Sequence, residues 1–262
     1  MPRFNANLTM LYGEVDFMER FARAARSGFT GVEYLFPYDH PAEALAEQLQ
    51  RHGLTQVLHN LPAGDWAAGE RGIAALPGRE GEFQDGVGRA IAYAQALGCT
   101  QLNCLAGLRP AGADEAQVRA TLVANLRFAA EHLARAGIRL LVEPLNSQDI
   151  PGFYLVHSAD AIALFDAVDH PNLWLQYDIY HMQIMEGNLT RTIERLLPRI
   201  AHMQLADNPG RHEPGTGEIN YANLFRAIDD FGYDGWIGCE YVPLGDTEAG
   251  LDWVRPHLAR PA

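Results

Sequence analysis

The chain has 262 residues, of which 48% are hydrophobic and 20% charged, a composition typical of a globular protein with a sizeable core and not of a disordered one. Its net charge of -13 repels a nucleic-acid backbone, and no cluster of basic residues supplies a local positive patch, so no nucleic-acid partner is expected. All 20 basic residues are Arg, which excludes Schiff-base catalysis by a lysine amine.

The predicted elements alternate between strand and helix along the whole chain. A first strand at residues 4–8 is followed by an amphipathic run that ends at Gly28, and a second strand follows at residues 32–35. The same pattern recurs four more times, with Gly53, Gly98, Gly137 and Gly232 before strands at residues 57–59, 102–104, 140–143 and 236–240. Glycine relieves the left-handed turn that ends a helix, so each pattern predicts a helix, a short loop and a strand.

Two further strands complete the predicted set. Residues 173–178 follow the turn at Pro171, and residues 200–205 follow Pro198. Eight strands, each followed by a helix and without an intervening linker, favour a single (β/α)8 TIM barrel domain over residues 1–262. An open doubly wound sheet is disfavoured because no GxGxxG follows an early strand, and no nucleotide cofactor is expected.

One predicted connection is longer than the others. Residues 61–77, LPAGDWAAGERGIAALP, separate the third strand from the next helix. A loop of this length in a compact domain is commonly a lid or a binding loop, and the alternative is a surface excursion with a half-formed helix.

Polar residues end the last four predicted strands, at Glu143, Asp178, Gln204 and Glu240. Active sites of TIM barrels lie at the C-terminal ends of the strands, and these four residues are each about one β/α unit apart, so they should be neighbours on one arc of the rim. A single carboxylate there could merely cap a loop or pair with an arginine. Three acids together repel one another, and a bound divalent cation would offset that repulsion.

The predicted metal ligands all bind through oxygen, provided that Gln204 uses its carbonyl group. Oxygen ligands suit Mg²⁺ or Mn²⁺ better than Zn²⁺. The expected cofactor is therefore Mg²⁺, with Mn²⁺ as the alternative.

Histidines near the predicted rim are candidates for substrate binding. His181, three residues after Asp178, could reach a substrate oxygen or could pack against the following helix. His59 ends the third strand and could bind substrate or be structural. His202 lies two residues before Gln204 on the same strand face, so we expect it one layer deeper in the barrel.

Two arginines are candidates for binding an anionic substrate. Arg211 lies in the loop after the seventh strand, in NPGRHEPGTGEI, and Arg71 lies on the long loop at residues 61–77. A guanidinium can clamp a carboxylate through two hydrogen bonds, and we prefer Arg211 for this role.

The sequence resembles the hydroxypyruvate isomerase family of the xylose isomerase-like barrel superfamily nearly from end to end. The segments that carry the resemblance are FNANLTMLYGE, GVEYLFPYD, HNLPAGDWAAGERGIAALPGRE, LVEPLN, IPGF, QYDIYHMQ, ADNPGRHEPGTGEINY, GWIGCEY and TEAGL. The resemblance implies that Glu143 and Glu240 are the catalytic acid/base pair, and that Glu143, Asp178, Gln204 and Glu240 hold the metal. The implied reaction interconverts hydroxypyruvate and tartronate semialdehyde (2-hydroxy-3-oxopropanoate) through an enediolate.

Three other functions stay open at this point. The nearest is a 2-oxo-tetronate isomerase, or a related isomerase or epimerase of sugars or sugar acids, which shares the same scaffold. A DNA-repair endonuclease of the superfamily would need a His-rich zinc site and a basic groove, and the net charge of -13 argues against it. A non-catalytic barrel that binds a small acid is the third, and the intact glutamate pair argues against it.

The remaining expectations concern the surroundings of the protein. Cys99, Cys104 and Cys239 show no CxxC spacing and are expected to be reduced and structural. No apolar run reaches the roughly 18 residues of a membrane span, and the N-terminal residues lead into a strand and not a signal peptide, so we expect a cytoplasmic protein without a membrane partner. Its partner should be a small 2-oxo or hydroxy acid, and a homo-oligomer is possible.

Overall fold

Eight parallel strands form a closed barrel in residues 2–258, the part of the chain that this computed structural model describes. The strands are β1 (Arg3–Asn7), β2 (Gly31–Glu33), β3 (Thr55–Asn60), β4 (Gln101–Cys104), β5 (Arg139–Val142), β6 (Leu173–Asp178), β7 (Ile200–Leu205) and β8 (Trp236–Cys239). Each strand pairs with the next in chain order, and β8 closes the ring by pairing with β1. The predicted (β/α)8 fold is confirmed.

Helices follow the strands on the outside of the barrel. They are α1 (Phe17–Arg26), α2 (Ala42–His52), α3 (Glu80–Leu97), α4 (Glu115–Arg135), α5 (Ser158–Val168), α6 (Ile179–Met185), α7 (Leu189–Leu196) and α8 (Tyr221–Asp230). Both α6 and α7 lie between β6 and β7. Met1 and residues 259–262 lie outside the described residues, and the assignment of residues 1–262 to one domain stays a prediction.

The chain after β8 differs from the sequence prediction. In the described residues it forms two 3₁₀ turns, Ala249–Leu251 and Arg255–His257, where a helix was predicted after every strand. Gly245, Gly250 and Pro256 lie in this short segment. Glycine lowers helix stability and proline removes a backbone donor, so a continuous α-helix is disfavoured here.

The glycines that the sequence places after helices all adopt positive φ angles. They are Gly28, Gly53, Gly98, Gly137 and Gly232. At Gly98 the φ angle is 65°, and its N–H turns back toward the carbonyls of Ala94 and Gln95 at the end of α3. A side chain would strain this left-handed turn, which is why the pattern predicted the end of each helix correctly.

The strands are covered on both faces and bury apolar side chains toward the helices. In β6 and β7 nearly every residue is buried, as expected for a parallel sheet inside a shell of helices. Cys99, Cys104 and Cys239 are free thiols within this buried interior, as predicted. Among residues 2–258, no helix combines the length and hydrophobicity that crossing a membrane requires.

Candidate active site

Buried polar side chains gather where the strands end. Asn7, Glu33 and Asp178 are the last residues of β1, β2 and β6, while Glu143 and Glu240 directly follow β5 and β8. All five are at most 5% exposed. Because parallel strands in a closed barrel end at one rim, these groups share one polar site above an apolar core.

Glu143 is held by an amide from the neighbouring strand. Its Oε2 accepts a hydrogen bond of 3.0 Å from Nδ2 of Asn103, which also donates to Oδ1 of Asn60 at 3.1 Å. Burial raises the pKa of Glu143 well above its ordinary value, and the carboxylates of Glu240 and Asp178 raise it further. Glu143 therefore binds a proton more readily than an exposed glutamate does.

Glu240 has more hydrogen-bond donors than Glu143. Its Oε2 accepts from Nδ2 of Asn7 at 3.1 Å and from Nε2 of Gln204, and its Oε1 accepts from Arg211 at 2.9 Å. Burial raises the pKa of Glu240 to about 8, although Arg211 acts in the opposite direction. Both glutamates that the resemblance implicates thus lie in the site with raised pKa values.

Glu33 lies beneath Glu240 in the hydrogen-bond network. Its Oε1 accepts from Asn7 at 3.1 Å and from Gln204 at 2.9 Å, the same two amides that donate to Glu240, and its Oε2 lies 2.7 Å from Nε2 of His202. The sequence analysis missed Glu33 because it extended the second strand to residue 35, whereas β2 ends at Glu33 in the structure.

Asp178 joins a strand end to a helix start. Its Oδ1 accepts the backbone N–H of Tyr180 at 2.8 Å and so caps α6, while its Oδ2 is buried and has no hydrogen-bond partner in the described part of the chain. Burial raises the pKa of Asp178 to about 6, against the lowering effect of Arg211. An unpartnered buried carboxylate oxygen is costly unless a cation or a donor approaches it.

His181 faces Asp178 across the start of α6. Its Nε2 lies 3.6 Å from Oδ2 of Asp178, and its Nδ1 accepts the backbone N–H of Asn146 at 3.2 Å. The ring is almost completely buried. Burial lowers the pKa of His181 well below its ordinary value, and Arg211 lowers it further, so the imidazole is neutral.

His59 has one satisfied nitrogen and one unsatisfied nitrogen. Its Nδ1 lies 3.1 Å from the carbonyl oxygen of Asn60, and its buried Nε2 has no hydrogen-bond partner among residues 2–258. Because a carbonyl can only accept, Nδ1 carries the hydrogen and Nε2 presents a lone pair. Burial lowers the pKa of His59 to about 4.

Arg211 is the arginine that the structure brings to the carboxylates. Besides its contact with Glu240, its Nη1 lies 3.9 Å from Oδ2 of Asp149, and its guanidinium covers the ring of Tyr180 at 5.1 Å. Arg71 instead donates to the carbonyl oxygens of Trp66 and Glu70 within its own loop. Within the described residues, no hydrogen bond joins Arg71 to the strand-end carboxylates.

The loop that carries Arg211 is organised by a buried aspartate that the sequence analysis missed. The carboxylate of Asp207 accepts the backbone N–H groups of Gly215, Gly217 and Ile219 at 2.9 to 3.0 Å. Asp207 is fully buried, and the glycine-rich composition of the loop lets its backbone converge on one carboxylate. These hydrogen bonds hold the two ends of the loop that carries Arg211 together.

The residues present fit a divalent cation at one side of the site. Glu143, Asp178 and His181 are buried, and each offers a ligand atom within 4.8 Å of the others. The unpartnered Oδ2 of Asp178 is one of the oxygens that a cation would satisfy. Adjacent buried carboxylates with raised pKa values are the setting that a hard cation stabilises.

Gln204 does not present its carbonyl oxygen to this group. Its Oε1 accepts from Nε2 of Gln176 at 2.6 Å, and its own Nε2 faces Glu33 and Glu240. Ligation through oxygen would require the amide to turn over and would remove a donor from both glutamates. The ligand role of Gln204 stays a prediction.

The chemistry available to this site is proton transfer near neutral pH. Glu143 and Glu240 come from different strands and interact electrostatically across the rim. Carboxyl groups with raised pKa values can take up and release protons under conditions where exposed glutamates stay ionised. Arg211 adds one positive charge that can bind an anion.

Comparison with known proteins shows that the chain is similar to isomerases and to xylose isomerase-like barrels. The family model of the xylose isomerase-like TIM barrel matches residues 21–257. Hydroxypyruvate isomerase of Escherichia coli K12 is 57% identical over 98% of this chain and 100% of that protein, and 2-oxo-tetronate isomerase of Cupriavidus necator is 51% identical over 99% and 100%. A crystal structure described as AP endonuclease, family 2, from Brucella melitensis superposes with a TM-score of 0.96 at 51% identity, covering 98% of this chain and 100% of that one.

Proposed function

The chain belongs to the xylose isomerase-like TIM barrel family and is an isomerase, and we propose that its substrate pair is hydroxypyruvate and tartronate semialdehyde. The observation that carries the proposal is 57% identity to a hydroxypyruvate isomerase over essentially the full length of both chains. The paired buried glutamates supply groups that suit this reaction.

Proton transfer is the central step of the proposed reaction. One carboxylate of the pair Glu143 and Glu240 removes a proton from C3 of hydroxypyruvate, and the electron pair of that C–H bond forms the C2–C3 double bond of an enediolate. The other carboxyl group returns a proton to C2, while the hydroxyl proton moves from the C3 oxygen to the C2 oxygen. Two glutamates on different strands can serve opposite faces of one bound substrate.

Substrate orientation in this proposal comes from three residues outside the glutamate pair. Arg211 binds the substrate carboxylate, supported by its guanidinium lying beside Glu240. His59 accepts a substrate hydroxyl through its unpartnered Nε2, and His181 contacts a substrate oxygen through its Nε2. Arg71 would reach the substrate only if the long loop rearranged.

We propose Mg²⁺ as the resident cation, with Mn²⁺ as a substitute. Glu143 and Asp178 would hold it, with Glu240 and Gln204 as further ligands if the Gln204 amide turns over. When bound, the ion supplies positive charge that stabilises the oxygens of the enediolate. The donor set supports a hard, oxygen-preferring cation.

The proposal is tested by assaying hydroxypyruvate isomerisation with the wild type, Glu143→Gln and Glu240→Gln, each with Mg²⁺ and after chelation. Each substitution keeps the side-chain shape but removes the proton-carrying carboxyl group, so kcat should fall by at least about 10³-fold. Circular dichroism checks that the variants are folded. Full activity in either variant would end the acid/base assignment.

A second candidate is 2-oxo-tetronate isomerisation, because a protein of that name is 51% identical over the full chain. The proton transfer is the same, and the two functions differ in the length of the acid. Measuring kcat/KM for hydroxypyruvate and the four-carbon oxo acid side by side decides between them. A clearly larger value for the four-carbon acid would replace the first proposal by the second.

A role in DNA repair is not proposed, although one solved relative carries an endonuclease name. The net charge of -13 opposes binding to a phosphate backbone, and the site is dominated by carboxylates. We also propose a cytoplasmic location, supported by the three free thiols of the chain.

A further inference from the structure

Asn146 contacts His181 through two separate groups. It follows Glu143 by three residues, in the loop after β5, and both Asn146 and His181 are at most 1% exposed. The backbone N–H of Asn146 donates to Nδ1 of His181 at 3.2 Å, and the side-chain Nδ2 lies 2.7 Å from the same nitrogen. Two nitrogens of one residue therefore converge on one ring atom.

The orientation of the Asn146 amide follows from its other partners. Its Oδ1 accepts the backbone N–H groups of Gln148 at 3.0 Å and Asp149 at 2.8 Å. Its Nδ2 also donates to Oδ2 of Asp149 at 3.1 Å. Turning the amide over would set its N–H₂ against two N–H donors and its oxygen against a carboxylate, so Nδ2 must face His181.

These contacts determine which nitrogen of the ring carries the hydrogen. The backbone N–H of Asn146 can only donate, and the fixed amide also directs an N–H at the ring. Nδ1 of His181 must therefore be the acceptor, and a neutral imidazole then carries its hydrogen on Nε2. That N–H lies on the side of the ring that faces Oδ2 of Asp178, 3.6 Å away.

We propose that Asn146 is a positioning residue that holds His181 in the Nε2–H tautomer, so that His181 donates a hydrogen bond to a substrate oxygen and does not act as a metal ligand. Ligation through Nε2 needs its lone pair, which the hydrogen occupies in this tautomer. Of the three residues Glu143, Asp178 and His181, the first two thus remain as metal ligands, and His181 is the hydrogen-bond donor beside them.

The donor role explains why an uncharged histidine is useful at this position. Negative charge develops on a substrate oxygen when the carbon proton leaves, and a neutral N–H pointing at that oxygen stabilises the charge without transferring its own proton first. This part rests on the proposed function, because it assumes an enolising substrate. The tautomer itself depends only on the contacts of Asn146.

The first test is the ¹⁵N NMR spectrum of the full chain labelled with ¹⁵N-histidine, recorded without metal and with added Mg²⁺. His181→Gln assigns the resonances, since the chain contains 10 histidines. We expect a protonated Nε2 and an unprotonated Nδ1 in both samples. A protonated Nδ1, or loss of the Nε2 proton on adding Mg²⁺, would overturn the proposal.

The second test is Asn146→Asp, which keeps the shape and the two backbone acceptor contacts but replaces the N–H₂ facing Nδ1 with an oxygen. The new oxygen accepts from Nδ1 in competition with the backbone N–H, and it lies against Oδ2 of Asp149, so the Nδ1–H form should gain population at the expense of the Nε2–H form. We expect kcat to fall about 10²-fold, the usual effect of losing one donor to a developing oxyanion, with a smaller change in KM. Asn146→Ala removes the amide donor without adding charge, and its kcat should fall by a smaller factor.

Asn223→Asp is the matched control, because it makes the same exchange at an exposed position on α8. It should keep both the parent tautomer and the parent kcat. If Asn146→Asp changes the tautomer of His181 but keeps the wild-type kcat, the donor role is wrong. If its kcat falls while the tautomer stays as in the wild type, the positioning role is wrong. If the chain turns over only the four-carbon acid, the hydroxypyruvate proposal fails, while the NMR result still decides the tautomer.

Discussion

Glu33 is a buried carboxylate that shares two of its hydrogen-bond donors with Glu240. His202, Asn7 and Gln204 all donate to it, and the last two continue to Glu240. Burial alone would raise the pKa of Glu33, but His202 and Gln204 outweigh it, and the net pKa is lowered. Glu33 is therefore present as a carboxylate in the folded protein.

Glu33→Gln should destabilise the fold strongly. Whichever way the new amide turns, its N–H₂ faces either the donors Asn7 and Gln204 or Nε2 of His202, and buried His202 loses its carboxylate partner. Breaking a buried pair in this way costs on the order of 3 kcal/mol of unfolding free energy, measured by urea denaturation. Glu47→Gln, which breaks an exposed i,i+4 pair with Arg51, is the control and should change little.

The stability of the protein should depend on pH through His59. The pKa of His59 is about 4 in the folded protein because of burial, whereas an unfolded histidine titrates near 6.5. Between those values the unfolded chain binds the extra proton, so the unfolding free energy falls as the pH is lowered. From pH 7.5 to 5, wild type should lose roughly 2 kcal/mol more than His59→Gln in urea titrations. Equal losses in the two proteins would contradict this assignment.

At the residue scale, sequence spacing could predict which side chains meet but not how they bond. Glu143, Asp178 and Glu240 meet because strand ends in a barrel share one rim. The partners of Gln204 could not be predicted, since they depend on the register of β6 and β7 and on which way an amide turns. Asp207 and Asn146 lie in loops, where no period marks a buried polar residue.

At the element scale, the long segment after β3 is an ordered part of the structure. Leu61 at its start and Ile73 and Ala74 in its last third are buried, whereas residues 65–69 between them are exposed. Glu70 pairs with Arg79 at the start of α3. Trp66 lies outermost, against Phe36. The sequence predicted a lid or a binding loop from length alone, and such a role stays a prediction.

Gly72 fixes this loop against the segment that follows β4. Its φ angle is 114°, and a Cβ there would overlap the carbonyl oxygen of Leu105. Gly72→Ala should therefore lower the unfolding free energy by on the order of 3 kcal/mol, from backbone strain and overlap together. Gly69→Ala, at a φ of 96° with open space around it, isolates the strain and should cost on the order of 1 kcal/mol. Thermal unfolding compares the two, and an equal loss would exclude a role for the overlap.

At the scale of the whole molecule, the order of helices and strands along the chain predicted the barrel, whereas composition indicated only a globular protein. The alternation of helix and strand holds through β8, and five of the turns between a helix and the next strand carry a glycine with a positive φ angle. It fails after β8, where proline and glycine break the last helix into turns. Which metal ion binds and which acid is the substrate depend on a few side chains, and composition does not reveal their arrangement.

Binding of a cation should stabilise the whole barrel, because Glu143 and Asp178 come from different strands. At a Mg²⁺ concentration 100 times the Kd, mass action adds about 2.7 kcal/mol to the unfolding free energy. In differential scanning fluorimetry, Mg²⁺ should raise the Tm of the wild type. It should not change the Tm of the double variant Glu143→Gln/Asp178→Asn. Asp230→Asn on α8 should respond as wild type does, and an unchanged wild-type Tm would argue against the cation.

The buried thiols can report how the closed barrel unfolds. Cys104 in β4 and Cys239 in β8 lie on opposite sides of an eight-membered ring, and burial raises the pKa of both, so neither reacts readily in the folded state. Their rates of alkylation therefore report exposure of two opposite walls. Equal rates would mean that the ring opens as one cooperative unit, and unequal rates would divide it into parts that come apart separately.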